Sequence, residues 1–323
     1  MFRTELNIIP SGEKLSLKQP ILTIGSCFSD NIGSKLKEYK FQTLANPFGT
    51  VYNPVSIFKL LSMASENNEP AKESYLTNDG IYANYDFHSS FSSLNQQELE
   101  DQVVNSLSNT HLFLDKSPVL IITFGTAFIY RRIDNDEIVA NCHKVPAKNF
   151  KKELLNQKQI IQEFEQLHTK LVLKYPKIRF ILTVSPVRHI KDSLELNSVS
   201  KSILRIACHS LSEQFENVEY FPSYEIQLDD LRDYRFYKSD MIHPTEEATH
   251  YIWNKFAECY FDESTLEFIE EWIKIKRAID HKPFNPKSEK HQEFVRNTIA
   301  KIKSLNSDID FTEELLSLKK ALI

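Results

Sequence analysis

Glycine is scarce in this chain, which has 6 glycines among 323 residues. An average composition of roughly 7% would give about 23. Glycine tolerates left-handed backbone conformations and close backbone approach better than any other residue. We therefore expect the few glycines that remain to lie where no other residue fits, and we use their positions as a guide to the fold.

Several other absences exclude whole classes of protein. No apolar run approaches the roughly 18 residues of a membrane-spanning helix, and the first residues contain no continuous apolar segment, so we expect neither a membrane span nor a signal peptide. The four cysteines are widely spaced without a CxxC pair, which argues against a disulfide framework or metal site and favours a cytoplasmic location. The net charge of −5 is spread along the chain, so we expect no nucleic-acid partner.

What is present indicates an α/β fold. Hydrophobic residues make up 41% of the chain, enough for a large buried core. Five short apolar or β-branched runs alternate with helical patterns, and they predict a five-stranded parallel sheet with helices on both faces. The predicted strands are residues 21–24, 41–44, 119–124, 180–184 and 218–221. Residues 75–85 and 128–139 are predicted hairpin insertions.

Helical periodicity organises the remainder of the chain. It predicts helices over residues 32–39, 53–61, 98–107, 151–175, 197–215 and 245–260. Residues 262–323 have no strand character and contain three helical patterns, with residues 281–290 as their linker. We therefore predict an α/β/α domain over residues 1–261 and a C-terminal helical extension, residues 262–323, packed on it.

Three glycines mark the expected site. In open α/β folds, ligands bind outside the carboxyl ends of the strands. Gly25, Gly49 and Gly125 follow the first, second and third predicted strands. The loops at this edge of the sheet are therefore where we expect functional side chains.

The first of these loops carries a candidate nucleophile. Gly25 permits a tight turn from strand to helix, and Ser26 and Cys27 follow it at the predicted helix N-terminus. The helix dipole and free N–H groups there stabilise an anion, either a thiolate or an oxyanion. We expect this position to lower the pKa of the Cys27 thiol.

A candidate base lies far downstream, after the last strand. Pro244 is predicted to be the first residue of the closing helix, which places His243 near its N-cap. Asp240, three residues before His243, can turn back to the imidazole, fix its tautomer and stabilise the imidazolium. Asp240 and His243 are therefore the predicted orienting and basic members of a catalytic triad.

Residues 20–260 resemble a known family. Gly25-Ser26-Cys27-Phe28 is similar to the motif that names the bacterial GSCFA-domain family, within the SGNH/GDSL hydrolase-like superfamily, with Ser29 replacing the final alanine. Five further segments share the resemblance: 46–49 (NPFG), 124–127 (FGTA), 139–144 (VANCHK), 185–189 (SPVRH) and 229–237 (DDLRDYRFY). The resemblance implies a three-layer, flavodoxin-like α/β/α domain with an esterase-like or acyl-transfer site.

The chain departs from the superfamily pattern in two places. SGNH enzymes have Gly-Asp-Ser-Leu in the first block, so a gapless match puts Cys27 over the serine nucleophile, and Ser26 substitutes only if the turn shifts by one residue. The third block is Gly125-Thr126-Ala127, which lacks the usual asparagine donor to the oxyanion. Losing one such donor commonly costs ~10²–10³ in rate. The backbone N–H groups of Cys27 and Gly49 are the expected donors, and the side chains that could fill the gap are Asn46, Thr126, Asn141 and His143.

We expect a hydrolase or acyltransferase that acts on an ester or thioester through Cys27 or Ser26, His243 and Asp240. Arg188 and His189 follow the fourth strand, where they can meet a polar or anionic substrate or form a surface salt bridge. A glycan or cell-envelope O-acyl group is a substrate class by family analogy only. No metal or other cofactor is implied. The alternative is a catalytically degenerate domain that binds a saccharide or a protein partner.

Overall fold

Five parallel strands form the central sheet of the computed structural model, which describes residues 4–305 and 309–322. In chain order the strands of the molecule are β1 (Ile21–Gly25), β2 (Thr43–Ala45), β3 (Tyr75–Asn78), β4 (Ile81–Asn84), β5 (Ser92–Ser93), β6 (Val119–Phe124), β7 (Phe128–Arg132), β8 (Ile138–Val139), β9 (Phe150–Leu154), β10 (Arg179–Val184) and β11 (Val218–Tyr220). The helices are α1 (Cys27–Glu38), α2 (Pro54–Glu66), α3 (Gln96–Leu114), α4 (Gln157–Lys174), α5 (Leu194–Gln214), α6 (Ser223–Glu225), α7 (Glu246–Tyr260), α8 (Glu263–Ile279), α9 (Glu289–Ser304) and α10 (Thr312–Lys320).

The strand order of the central sheet is β11-β10-β6-β1-β2, and every pairing is parallel. Every residue of β1, β6 and β10 is buried, as their continuous apolar sequences predict for strands covered on both faces. Alternate residues of β6 point to opposite layers: Leu120 and Ile122 pack with α2–α5, whereas Val119 and Ile121 pack with α1 and α7–α10. The predicted α/β fold with a five-stranded parallel sheet flanked by helices is confirmed.

Two small antiparallel sheets lie outside the central one, β3-β4-β5 and β8-β7-β9. The predicted hairpins at residues 75–85 and 128–139 are confirmed as β3–β4 and β7–β8. The prediction of a helix from residue 151 is wrong, because residues 150–154 form β9 and pair with β7. Helix α4 begins only at Gln157, where Asn156 and Gln159 make a capping box.

The C-terminal helices pack against the outer side of α1 and α7. Trp272 of α8 is 1% exposed, and its indole Nε1 donates to the carbonyl oxygen of Glu38 at 2.8 Å. Phe311, just before α10, contacts the Trp272 ring with the centroids 5.1 Å apart. The helical tail therefore shares one hydrophobic core with the layer that carries α1.

The carboxylate of Glu38, at the end of α1, forms an ion pair with a lysine of the C-terminal helical extension. Glu38 accepts hydrogen bonds from Lys276 of α8 at 2.8 Å and from Lys35 at 2.9 Å. Burial acts to raise the pKa of Glu38, but these two ammonium groups outweigh it and hold the pKa below its usual value. The stabilisation is therefore present above the pKa of the unfolded chain and is lost as pH falls through the folded-state value.

Glu38→Gln should lower the free energy of unfolding at neutral pH by less than about 1 kcal/mol, because solvent screens this partly exposed cluster. The difference from the wild type should vanish in acid, below the ordinary glutamate range. Urea unfolding at a series of pH values measures both quantities, and the exposed Glu270 of α8 gives a control as Glu270→Gln. A difference that stays constant as the pH falls would contradict the assigned role of the Glu38 charge.

Candidate functional site

The turn between β1 and α1 distinguishes the two candidate nucleophiles. Ser26 is fully buried and is the N-cap of α1, where its Oγ accepts from the Phe28 N–H at 3.3 Å. Cys27 is the first residue of the helix, is partly exposed, and lines a cleft. The geometry therefore favours Cys27, with Ser26 as the residue that caps its helix.

The backbone fixes this turn tightly. Gly25 has φ +137°, and a Cβ added there would lie 2.1 Å from the carbonyl oxygen of Thr123 in β6. The Ser26 N–H donates to the same oxygen at 3.0 Å. The Gly25 N–H donates to Oδ1 of Asn46 at 2.9 Å. The expectation that scarce glycine marks positions closed to other residues is confirmed at Gly25. It is wrong at Gly12, where no atom lies within 4 Å of an added Cβ.

Asp240 and His243 form the predicted pair. Nδ1 of His243 lies 2.7 Å from Oδ2 of Asp240, whose Oδ1 accepts the backbone N–H groups of Ile242 at 2.8 Å and His243 at 3.0 Å. These backbone hydrogen bonds, that of His243 first, lower the pKa of Asp240 well below its usual value. The carboxylate is thus charged at neutral pH and fixes the imidazole with Nε2 left for chemistry.

The prediction that Pro244 begins the closing helix is wrong. Helix α7 begins at Glu246, and its N-cap is Thr245, whose Oγ1 accepts from the Ala248 N–H. Pro244 instead forms an antiparallel bridge with Tyr237. His243 is consequently two residues before the cap, on a loop rather than on the helix.

Cys27 and His243 line one cleft of about 450 Å³ between α1 and the loop that enters α7. The other lining residues are Asn31, Ser34, Lys35, Glu38, Lys238, Pro244, Thr245, Glu246, Thr249 and His250. Within residues 4–305 and 309–322, no hydrogen bond joins Sγ of Cys27 to the His243 ring. The structure therefore brings the predicted nucleophile and the predicted base to the same cleft, where the thiol and the imidazole are not hydrogen-bonded to each other.

The expected lowering of the Cys27 pKa is not found. Burial raises the pKa of the thiol above its usual value, and the nearby Asp30 carboxylate raises it further. The N–H groups of Cys27 and Phe28 and the charge of Lys201 act in the opposite direction, but they do not outweigh burial. The prediction of a low thiol pKa overlooked how far the first helical turn is buried against the sheet.

Two expected oxyanion donors are already engaged inside the protein. The Gly49 N–H donates to the carbonyl oxygen of Asn46 at 2.8 Å. The Asn46 Nδ2 donates to Oδ1 of Asp30 at 2.6 Å, while its Oδ1 accepts from Gly25. Asn46 therefore fixes the loop after β2 to the start of α1, and the prediction of a free Gly49 N–H is wrong for this conformation. The Asn46 amide uses one of its two N–H groups in this way, and its donation to an oxyanion stays a prediction.

The candidates contributed by the third block and the hairpin are also engaged in structural contacts. Oγ1 of Thr126 lies 3.1 Å from Oγ of Ser200 and accepts from the Phe128 N–H. Oδ1 of Asn141 accepts from the His143 N–H at 2.9 Å. Nε2 of His143 lies 2.7 Å from the carbonyl oxygen of Asn84, and burial lowers the pKa of the ring. These side chains hold the two insertions in place, and none lines the cleft that Cys27 and His243 share.

Arg188 contacts and stabilises the loop that carries His243. Its guanidinium lies 3.9 Å from the centroid of the Tyr237 ring, and Nη1 donates to the carbonyl oxygen of Met241 at 3.2 Å. Its backbone N–H donates to the carbonyl oxygen of Ile242. Arg188 therefore acts on the loop itself, rather than through the surface salt bridge that was the alternative.

His189 presents a buried and uncharged ring. Its Nε2 is inaccessible and has no hydrogen-bond partner among the described residues, and it lies 3.1 Å from the position of a Cβ added to Gly125. Its ring meets Tyr52 edge to face at 5.1 Å. Burial, with the positive charges of Lys201 and His243, lowers the pKa of His189 to about 3, so the ring is neutral at neutral pH.

Lys201 of α5 is the residue that the sequence interpretation missed. Its side chain is 1% exposed, and Nζ donates to the carbonyl oxygens of Gly125 at 2.8 Å and Ser185 at 2.7 Å. Burial lowers its pKa to about 7, against the opposing influence of Cys27. A signal was present, because position 201 shares the buried face of α5 with Leu204 and Cys208.

Comparisons with known proteins identify the family of this chain. The family model described as GSCFA family matches residues 20–256, and the model described as GSCFA domain protein, C-terminal domain, matches residues 272–323. No curated protein matches the chain with significant similarity. Among the helices that the structure describes, none has the length and apolar character to cross a membrane. Since the first match covers well over half of the chain, the protein belongs to the GSCFA family.

Proposed function

We propose that this protein is a hydrolase or acyltransferase with an SGNH-type arrangement of residues, acting on an ester or thioester through Cys27. The observation that carries the proposal is the cleft shared by Cys27, at the N-terminus of α1, and His243, which Asp240 orients at 2.7 Å. A nucleophile and a base held by a third group are the elements of a triad, whatever their order in the chain.

The chemistry follows from these positions. Nε2 of His243 accepts the proton of the Cys27 thiol, and the thiolate attacks the carbonyl carbon of the substrate. The tetrahedral intermediate expels its alkoxide or thiolate, which takes the proton from His243, and the acyl group remains on Cys27 as a thioester. Water or an acceptor hydroxyl, deprotonated by His243, then releases the acyl group and restores the thiol. Asp240 stabilises the imidazolium in both halves of the cycle.

Donors for the oxyanion must replace those that the structure has already engaged. We assign this role to the backbone N–H of Cys27, which lies at the start of α1, where the helix dipole favours an anion. His189 is not part of the assignment, because its Nε2 is inaccessible and its ring does not line the cleft.

The cleft favours a polar substrate. Its walls carry hydroxyl, amide, ammonium, carboxylate and imidazole groups from α1 and α7, rather than the continuous apolar surface that a long acyl chain requires. A short acyl group on a glycan or cell-envelope component fits this lining, and we keep it as the proposed substrate class. A cytoplasmic location, expected from the cysteine spacing, is part of the same proposal.

Acylation of Cys27 tests the proposal directly. After brief reaction with p-nitrophenyl acetate and an acid quench, we expect one acetyl group on the peptide that contains Cys27, found by peptide mass spectrometry. His243→Ala should slow the appearance of this acyl-enzyme strongly, because the thiol then lacks its base. Acetylation of Ser26 instead of Cys27 would identify the serine as the nucleophile. Unchanged labelling of Cys27 in His243→Ala would show that His243 is not the base.

Two observations favour a second function, a degenerate domain that binds a saccharide or protein partner without turnover. Asn46, Gly49 and Thr126, three of the expected oxyanion ligands, use their polar groups internally, and burial raises the pKa of Cys27. This function predicts no acyl-enzyme with esters or acyl-thioesters, together with saccharide binding by calorimetry that survives Cys27→Ala. The labelling experiment therefore separates the two functions.

A further inference from the structure

A buried ammonium group lies under the same edge of the sheet as Cys27. Lys201 reaches from α5 to the first carbonyl oxygens beyond two neighbouring strands, Gly125 after β6 and Ser185 after β10. Strand β6 also pairs with β1, with Gly25 opposite Thr123, so these carbonyls adjoin the turn that presents Cys27. One side chain thus ties together two of the loops that surround the site.

The surroundings leave this charge without an anionic partner of its own. Among residues 4–305 and 309–322, no carboxylate lies within ion-pair distance of Nζ, and the contacts are two carbonyl oxygens and the Tyr224 ring, whose centroid is 5.8 Å away. The ionisable groups that face Lys201 are Cys27 of α1, His189 of the loop after β10 and Tyr224 of α6. Removing a charge from water at such a place is costly unless another group compensates it.

The ionised form of Cys27 is the group that can compensate this charge, and it forms against the opposing effects of burial and of the Asp30 carboxylate. The Lys201 charge favours the ionised thiol, and the ionised thiol favours the charged lysine. His189, the other close ionisable ring, is neutral, so it does not compete for this role. The interaction is reciprocal, because two groups that affect each other's ionisation do so by the same free energy.

We propose that Lys201 is a positioning residue of the site: its buried ammonium holds together the chain segments that leave β6 and β10, and it stabilises the negatively charged form of Cys27 from beneath. The nucleophile would then be activated from two sides, by the base His243 in the cleft and by the charged form of Lys201. This inference rests on the proposed function for its catalytic meaning. The interaction between the two side chains is independent of any substrate.

The test measures ionisation of Cys27 rather than turnover. The rate of Cys27 alkylation by iodoacetamide, followed by peptide mass spectrometry as a function of pH, reports the thiolate fraction. In Lys201→Met we expect alkylation near neutral pH to be about tenfold slower, with the profile moved to higher pH, since one charge is lost at a poorly solvated site. Lys158→Met, at an exposed lysine of α4 that does not line the cleft, should leave the profile unchanged.

A second measurement leaves Lys201 in place, in case the methionine variant does not fold. In protein labelled with ¹³C at the lysine ε-carbons, we expect one resonance to titrate near neutral pH, and Cys27→Asp, which places a permanent anion at this position, should move its midpoint to higher pH. A folded Lys201→Met with the wild-type alkylation profile, or an identical lysine midpoint in Cys27→Asp, would overturn the inference. If both shifts are found and no acyl-enzyme forms, the Lys201–Cys27 interaction holds and the proposed reaction fails.

Discussion

Replacing Cys27 with alanine should lower kcat for ester hydrolysis by about 10³-fold or more, because the covalent route is lost and no second nucleophile occupies the position. His243→Ala should have a comparable effect, since the Cys27 thiol keeps a raised pKa and carries little charge at neutral pH without a base. Removing both together should cost little more than either alone, as for residues that act as one unit. Initial rates with p-nitrophenyl acetate measure all three variants.

Two further substitutions make this result specific. Ser26→Ala should retain most of the turnover and lose about 1 kcal/mol of stability, because Ser26 caps α1. Cys142→Ala, at a partly exposed cysteine of the hairpin, should keep full activity and controls for loss of an arbitrary thiol. Loss of activity in Ser26→Ala with activity retained in Cys27→Ala would identify the serine as nucleophile. Equal residual rates in every variant would reject the triad.

Gly25→Ala is expected to cause the largest loss of stability of any single substitution proposed for this chain, about 4 kcal/mol or more. The new Cβ would lie 2.1 Å from Thr123 O, and the residue would also have to adopt φ +137°. The obstacle is backbone within the central sheet, which cannot move without breaking the pairing of β1 with β6. Urea unfolding followed by circular dichroism measures the loss.

Gly80→Ala is the matched control. Gly80 also has a positive φ, +73°, but nothing lies within 4 Å of a Cβ placed there. This variant should lose only the conformational cost of the left-handed region, about 1 kcal/mol. If both variants lose the same free energy, the close approach of β6 contributes nothing, and the strand-end glycine is required for its backbone angle alone.

The strands and the contact between Asp240 and His243 could be predicted because their signals are local. Each central strand is a short apolar run, and Asp240 and His243 are three residues apart, so one turn of chain brings them together at 2.7 Å. Strand β9 could not be recognised, since Lys151, Lys152 and Glu153 favour a helix locally and only pairing with β7 makes them a strand. The pattern around residues 150–157 contains no information about that distant partner.

The rest of the site depended on long-range contacts. Gly49 and Asn46 were expected to offer free donors, but whether a donor is free depends on the fold. Here the Gly49 N–H donates to the Asn46 carbonyl oxygen, and the Asn46 side chain donates to Asp30 of α1. Lys201 was missed because a lysine in a helix is ordinarily a solvated surface residue. Its role arises from two carbonyl oxygens contributed by segments 76 and 16 residues away along the chain.

The lengths of the strands have a consequence for how the molecules behave at high concentration. The inner strands β1, β6 and β10 have five or six residues, whereas the outer strands β2 and β11 have three each. An outer strand offers unpaired N–H and C=O groups to which a strand of another molecule can add, and short outer strands are one means of preventing this. The most apolar part of the chain is thereby kept away from both margins, which limits edge-to-edge polymerisation of the folded protein.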